Sequence, residues 1–283
     1  MASLGIYEKA TPKNISWQER LQFAKNLGFD FIEMSIDETD DRLARLDWTK
    51  EEQLDLLVNM HTIELPILSI CLSAHRRFPL GSQDENLRNE ALEIMQKAVN
   101  LASILGVRVI QLAGYDVYYE EKSELTRQLF IENLKKCVAM AQEKAVMLSI
   151  EIMDDPFMSS IEKFMEIKKD ISSPYLQVYP DVGNLSAWQE NNPSAELEIG
   201  IQHITNVHLK DTLAVTDDFP GKFKEVPFGE GCVDFDGLLK KLKALNYNGP
   251  FVVEMWSETS ENPQQEIEQA KEFILPKLRK VGF

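Results

Sequence analysis

Four residues in the second half of the chain carry the chemistry most directly argued from residue type and spacing. Glu151 sits in Ser149-Ile150-Glu151-Ile152-Met153 and Glu254 in Val252-Val253-Glu254-Met255-Trp256, so each carboxylate interrupts an apolar run. A carboxylate in that setting is costly unless it is paired, hydrogen-bonded or bound to a metal. Asp181 follows Val178-Tyr179-Pro180, and His208 lies in Asn206-Val207-His208-Leu209. Singly, each has a plainer reading: a salt bridge for the glutamates, a turn or helix cap for the aspartate, a satisfied core imidazole for the histidine. At the ends of four consecutive apolar runs, three carboxylates and one imidazole can close around one divalent cation. Such a shell is harder than a zinc-finger set and suits Mn2+, Mg2+, Co2+ or Zn2+. His203 precedes its strand, on the side away from such a site.

Other polar residues at run ends are candidates to shape a pocket: Glu8, Lys9, Glu33, Gln111, Tyr115, Lys210, Trp256 and Glu258. His75-Arg76-Arg77 offers an imidazole and guanidinium groups that bind phosphate or carboxylate in bidentate fashion, although a solvated loop reads the same way. Pro227-Phe228-Gly229-Glu230-Gly231 can cradle a phosphate on backbone N–H groups, with Gly229 and Gly231 as the residues allowing close approach; a plain turn also fits. There is no GxGxxG, P-loop, HExxH, CxxC or Ser/His/Asp set.

These residues require a scaffold that delivers several strand ends to one place. Eight short apolar runs alternate with amphipathic stretches, and the strand ends recur about every 35 residues between Glu8 and Glu254. That spacing holds a strand, a helix and two loops, and predicts a single (β/α)8 barrel over residues 1–283 with its active site at the C-terminal ends of the strands. The predicted strands are Leu4–Tyr7, Phe29–Ile36, Ile67–Leu72, Val107–Leu112, Val146–Ile152, Leu176–Tyr179, Ile204–Leu209 and Phe251–Met255. Predicted helices are Ser16–Leu27 with Gly28 as its stop, Lys50–Thr62, Asp84–Leu105, Glu124–Lys144, one capped by Ser159 or Ser160 through Lys169, a short one around Ala195–Ile201, and Phe235–Leu245. Near-continuous apolar runs are expected of a parallel sheet covered by helices.

Composition narrows the function classes. A net charge of −16 argues against nucleic acid as a partner, since such binding is dominated by cationic side chains on phosphates. Met1–Ala10 lacks the apolar core of a signal peptide, and no apolar run approaches 18 residues, so neither export nor membrane spanning is expected. Three dispersed cysteines, Cys71, Cys137 and Cys232, make no disulfide framework and fit a reducing cytoplasm.

The same residues resemble a known family. Leu4–Ala10, Phe31–Ser35, Cys71–Pro79, Val109–Tyr118, Glu151–Asp154, Tyr179–Trp188, Val226–Gly231 and Val253–Glu258 are similar to the sugar-phosphate 3-epimerases of the xylose-isomerase-like barrel superfamily, in particular those acting on L-xylulose 5-phosphate and L-ribulose 5-phosphate in L-ascorbate utilisation. The resemblance covers nearly the whole chain. It implies that Glu151, Asp181, His208 and Glu254 hold the metal, and that Glu151 and Glu254 double as the acid and base that invert C3 through an enediolate. It also implies a sugar-phosphate substrate and a homodimer. Hexulose-6-phosphate isomerase is the alternative within the same chemistry. Thr212–Lys222 looks longer than the family pattern between the seventh strand and the Gly229 loop.

Overall fold

The computed structural model describes residues 2–283. In chain order the elements are β1 (Leu4–Tyr7), α1 (Trp17–Asn26), β2 (Phe31–Ile36), α2 (Asp40–Leu43), α3 (Lys50–Ile63), β3 (Ile67–Leu72), α4 (Glu85–Leu105), β4 (Val109–Leu112) and α5 (Glu124–Glu143). There follow β5 (Met147–Glu151), α6 (Ile161–Asp170), β6 (Leu176–Tyr179), α7 (Val182–Ala187), α8 (Pro193–Gly200), β7 (Val207–Leu209), α9 (Phe235–Ala244), β8 (Phe251–Val253) and α10 (Pro263–Val281). The eight strands are parallel, in the order β6-β5-β4-β3-β2-β1-β8-β7. The bridges Val178 to Ile204 and Asp181 to His208 close β6 onto β7, completing the barrel.

Local signals set the helix ends. Ser16 and Thr49 each form a capping box, with Glu19 and Glu52, and Ser160 rather than Ser159 caps α6. Gly28 and Gly106 end their helices at φ +71° and +75°, where a side chain would be strained. The short helix expected around Ala195–Ile201 is α8, and a further short helix, α7, precedes it because Asp181 caps it directly at the strand end. The long Thr212–Lys222 segment is a small hairpin, with Leu213 opposite Lys222 and Thr216 opposite Phe219.

Side-chain alternation sorts each strand into two faces. Ile6, Ile32, Met34, Ile70, Ile110, Ile150, Val178 and Val253 join helix residues such as Leu21, Ala98, Leu134, Phe164, Leu239 and Ile274 in the main core. The intervening residues face the lumen. Glu33 on β2 touches Tyr179 on β6 and His208 on β7, strands that are not its neighbours, so the contact passes through the interior. A small apolar cluster of Tyr7, Phe31, Cys71 and Val252 lies within the barrel, with Trp256 packed against it.

Gly5 pairs with Phe31 across β1 and β2, and a Cβ there would collide with the Phe31 ring. Gly5→Ala should therefore destabilise the fold by about 1–3 kcal/mol through overpacking. Urea unfolding measures this, and a wild-type midpoint would contradict the packing.

His75 turns out of the pocket expected of it and into the wall of the barrel. It is 4% exposed, and its Nε2 lies 3.1 Å from the Ala91 carbonyl of α4. Burial pulls its pKa down to about 4, so it is neutral in the folded protein near neutrality. An unfolded histidine takes up its proton near pH 6.5, so this group's stabilising contribution is present above that pH and fades as pH falls towards 4. From pH 7 to 5 the loss should be about 2 kcal/mol, and His75→Gln should flatten that part of the stability–pH curve. Equal slopes in the two proteins would refute it.

Candidate metal centre and substrate pocket

Glu151 ends β5, Asp181 lies two residues beyond β6, His208 is the middle residue of β7, and Glu254 follows β8. Parallel pairing puts all four at one end of the barrel, where each offers a ligand atom within 4.8 Å of the others. All are buried, the least so at 5% exposure. His208 Nδ1 is 3.0 Å from Glu151 Oε1, 3.7 Å from Glu254 Oε2 and 3.8 Å from Asp181 Oδ2. Asp181 divides its work: Oδ1 accepts the Asn184 N–H of α7 at 2.8 Å, leaving Oδ2 for the cluster. Thus the cap and the ligand readings of Asp181 are both realised in one side chain.

Three carboxylates in so small a space repel one another. Burial and the neighbouring glutamates push the Asp181 carboxyl well above its ordinary range, against the pull of Lys210. Burial and Glu254 likewise raise Glu151. Burial opposes ionisation of Glu254 too, but Lys210 and His208 outweigh it and hold that group low. Lys210 Nζ lies 2.9 Å from both Asp181 Oδ2 and Glu254 Oε2. Both oxygens nonetheless lack a partner in hydrogen-bond geometry, so the contact is one of charge. Buried, anionic oxygens with free lone pairs beside one imidazole fit a divalent cation, whose own charge would lower all three carboxyls.

Supporting contacts come from the lumen. Gln111 on β4 donates to Glu151 Oε2. Glu33 accepts from His208 Nε2 at 2.6 Å, from Ser69 at 2.5 Å and from Tyr179 at 2.8 Å. From the sequence, Glu33 reads only as a pocket-shaping residue; its alternation with apolar neighbours in β2 puts it in the lumen, but its partner is 175 positions away.

Above the cluster, one cavity is lined by Lys210, Phe228, Glu254, Trp256 and Ser257. A second, sharing Trp256, is lined by Lys9, Asp37, Arg42, Arg45, Arg76, Lys224 and Glu258. Arg76 lies 5.4 and 5.3 Å from the ring centres of Tyr115 and Tyr118, and Tyr115 donates to Asp154. Lys210 and Lys224 each lie 5.3 Å from the Trp256 ring centre. Burial, then Arg76, pull the Lys224 pKa down. Lys224 comes from the β7–α9 connection and carries no motif to mark it. Of the cationic pair beside His75, Arg76 faces the cavity, while Arg77 turns out to Asp40 at 2.7 Å.

Gly229 and Gly231 are placed differently from expectation. Their N–H groups donate to Asp211 Oδ2 at 2.8 and 3.0 Å, while Thr212 and Val233 donate to Oδ1. The glycine-rich loop is an anion cradle, but the anion it holds is the chain's own carboxylate. A Cβ at Gly231 would strike Asp211.

Among the described residues no helix is long and apolar enough to cross a membrane. Residues 21–277 match the family model of the xylose isomerase-like TIM barrel. The SgbU protein of Escherichia coli (strain K12) is 55% identical over 280 residues, which is 99% of this chain and 98% of that protein. L-ribulose-5-phosphate 3-epimerase UlaE of Escherichia coli (strain SMS-3-5 / SECEC) is 52% identical, over 99% of this chain and 96% of that protein. D-psicose 3-epimerase of Clostridium cellulolyticum H10, solved with D-tagatose, superposes with a TM-score of 0.78 over 99% of each chain, although only 14% of residues are identical. By this match across nearly its full length, the chain belongs to the xylose isomerase-like TIM barrel family, as one of its sugar epimerases.

Proposed function

We propose that this protein is a metal-dependent 3-epimerase interconverting L-xylulose 5-phosphate and L-ribulose 5-phosphate in the cytoplasm, as a step of L-ascorbate or pentose catabolism. The observation that carries the reading is the meeting of Glu151 and Glu254, from strands three places apart in the ring, around the Asp181–His208 pair. Inversion at C3 needs one group that removes a proton from one face and another that returns a proton to the opposite face. Support for the substrate comes from the UlaE relatives, which are named for L-ribulose 5-phosphate. The isomerase alternative draws no support from those names.

The metal, held by Glu151, Asp181, His208 and Glu254, would supply Lewis acidity at the ketose carbonyl. Either glutamate takes the C3 proton as the C3–H electrons move towards the C2 carbonyl, giving an enediolate; the other protonates C3 from the far side. The direction of reaction sets which glutamate acts first. Gln111 donates to Glu151 and steadies it, and Lys210 Nζ lies 2.9 Å from Glu254 Oε2 and holds that carboxylate in place. Trp256 offers an apolar face beside the cluster, and Arg76 and Lys224 supply positive charge for the phosphate end.

The test is conversion of L-ribulose 5-phosphate in D2O with Mn2+. Deuterium should appear at C3 of the product with the C2 carbonyl retained, and a chelator should abolish turnover. Glu151→Gln and Glu254→Gln should each lose about 10²–10⁴-fold in rate, with metal-ligand loss adding to that. An aldose product, or exchange confined to C1, would overturn epimerisation.

A further inference from the structure

Glu33 is a carboxylate of the barrel interior that the reaction leaves without a task. It is fully buried on β2. Its Oε2 is held by two hydroxyls, Ser69 at 2.5 Å and Tyr179 at 2.8 Å, which fixes the direction of Oε1. Oε1 then meets His208 Nε2 at 2.6 Å. Among the described residues, His208 is the sole ion-pair partner of Glu33.

The two nitrogens of His208 are thereby divided. Nε2 faces Glu33, while Nδ1 faces Glu151, Asp181 and Glu254. A neutral imidazole has one N–H and one lone pair, and a carboxylate can only accept. With Glu33 at Nε2, the N–H belongs there and the lone pair is presented at Nδ1, towards the other three ligand atoms. The opposite tautomer would set the Nε2 lone pair against Glu33 with no donor between them, whereas the lone pairs of Nδ1 and Glu151 Oε1, 3.0 Å apart, would be reconciled by the cation of the proposed centre. Tyr179 adds to the constraint: its ring lies 4.6 Å from the imidazole at 58°, so the residue that holds Glu33 also limits rotation of the His208 ring. Glu33 lies beyond the far edge of that ring, outside the ligand set.

We infer that Glu33 is a positioning residue for the metal centre, selecting the Nε2–H tautomer of His208 and aiming Nδ1 as the ligand, with Ser69 and Tyr179 holding Glu33 in turn. It acts through His208 and does not touch substrate. This rests on the metal reading above and on no particular sugar. Carboxylates in this relation to a ligating histidine typically contribute 10–100-fold to metal affinity.

The experiment uses Mn2+ alone, titrated calorimetrically into metal-free enzyme, with no sugar present. Glu33→Gln keeps the shape and one acceptor but removes the charge, and its Mn2+ Kd should rise about 10–100-fold. Tyr179→Phe and Ser69→Ala leave the carboxylate but free Oε2, and should weaken Mn2+ by several-fold each. In Zn2+-loaded protein, 15N spectra of the ring should show Nε2 protonated and Nδ1 ligated in the wild type, with that assignment lost or mixed in Glu33→Gln. A merely structural Glu33 would lower the melting temperature of the metal-free protein while leaving the Mn2+ Kd and the 15N pattern as in the wild type, and that result overturns the inference. If Glu33→Gln does not fold, wild-type Mn2+ affinity in both Tyr179→Phe and Ser69→Ala overturns it equally. A wild-type protein that binds no divalent metal would instead refute the metal reading on which the inference rests.

Discussion

Concentrating three carboxylates at one end of a barrel, out of water and within a few ångströms of each other, is the constraint to which the remaining features answer. Left alone, such a cluster would take up protons rather than stay ionised, because burial and mutual repulsion both penalise the charged forms. Lys210 meets part of that demand by reaching both Asp181 and Glu254. His208 meets another part from the opposite side, and Gln111 and the Asn184 N–H saturate the oxygens that face away from the centre. The residual lone pairs converge on one point. Suitability for a dication and instability without compensation are thus two descriptions of the same electrostatic fact.

The barrel makes that concentration possible through the period of its strands. Outer faces carry the aliphatic residues that helices cover, so stability is provided by one set of positions and chemistry by the alternate set. Glu33 and Ser69 on adjacent strands belong to the inner set; Ser69 donates to Glu33, which reaches across the lumen to Tyr179 on β6 and His208 on β7. Function and packing can therefore be read separately in strands whose sequences look uniformly apolar. The apolar cluster of Tyr7, Phe31, Cys71 and Val252 shares the lumen with the inner polar groups and lowers the dielectric around them, which strengthens their ion pairs and hydrogen bonds.

Much of this was legible in the chain. A carboxylate inside an apolar run is anomalous enough to mark Glu151 and Glu254, and the regular recurrence of strand ends locates them on one face. Capping serines and glycine stops mark helix ends because their signals are local. What was not legible depended on rotation or on distant partners. His75, Arg76 and Arg77 read as one anion-binding group, but they lie on and just after a turn of 3-10 helix, where successive side chains diverge by about 120°. One packs on α4, one faces the tyrosines and one reaches Asp40. The glycine-rich loop reads as a phosphate cradle, but its N–H groups are taken by Asp211, which lies 18 residues from Gly229 in the chain and carries no mark of that role. Glu33 and Lys224 were obscure for the same reason: each acquires its role only from a side chain that the fold brings to it.

The overall charge of −16 and an anionic substrate are compatible for a reason of scale. At physiological ionic strength exposed charges more than about 8 Å away are largely screened, so the acidic outer surface adds little at the barrel mouth. Within that distance the proposed phosphate would have Arg76, Lys210 and Lys224, ranged about Trp256 and two tyrosines, as its nearest cations. Their aromatic neighbours exclude water and weaken screening, so each cation acts more strongly there than it would on the surface. Lys210 then serves two ends at once, tempering the carboxylates below and contributing to the positive rim above. Its substitution would thus disturb both, whereas Lys224, farther from the ligand oxygens, belongs to the rim alone.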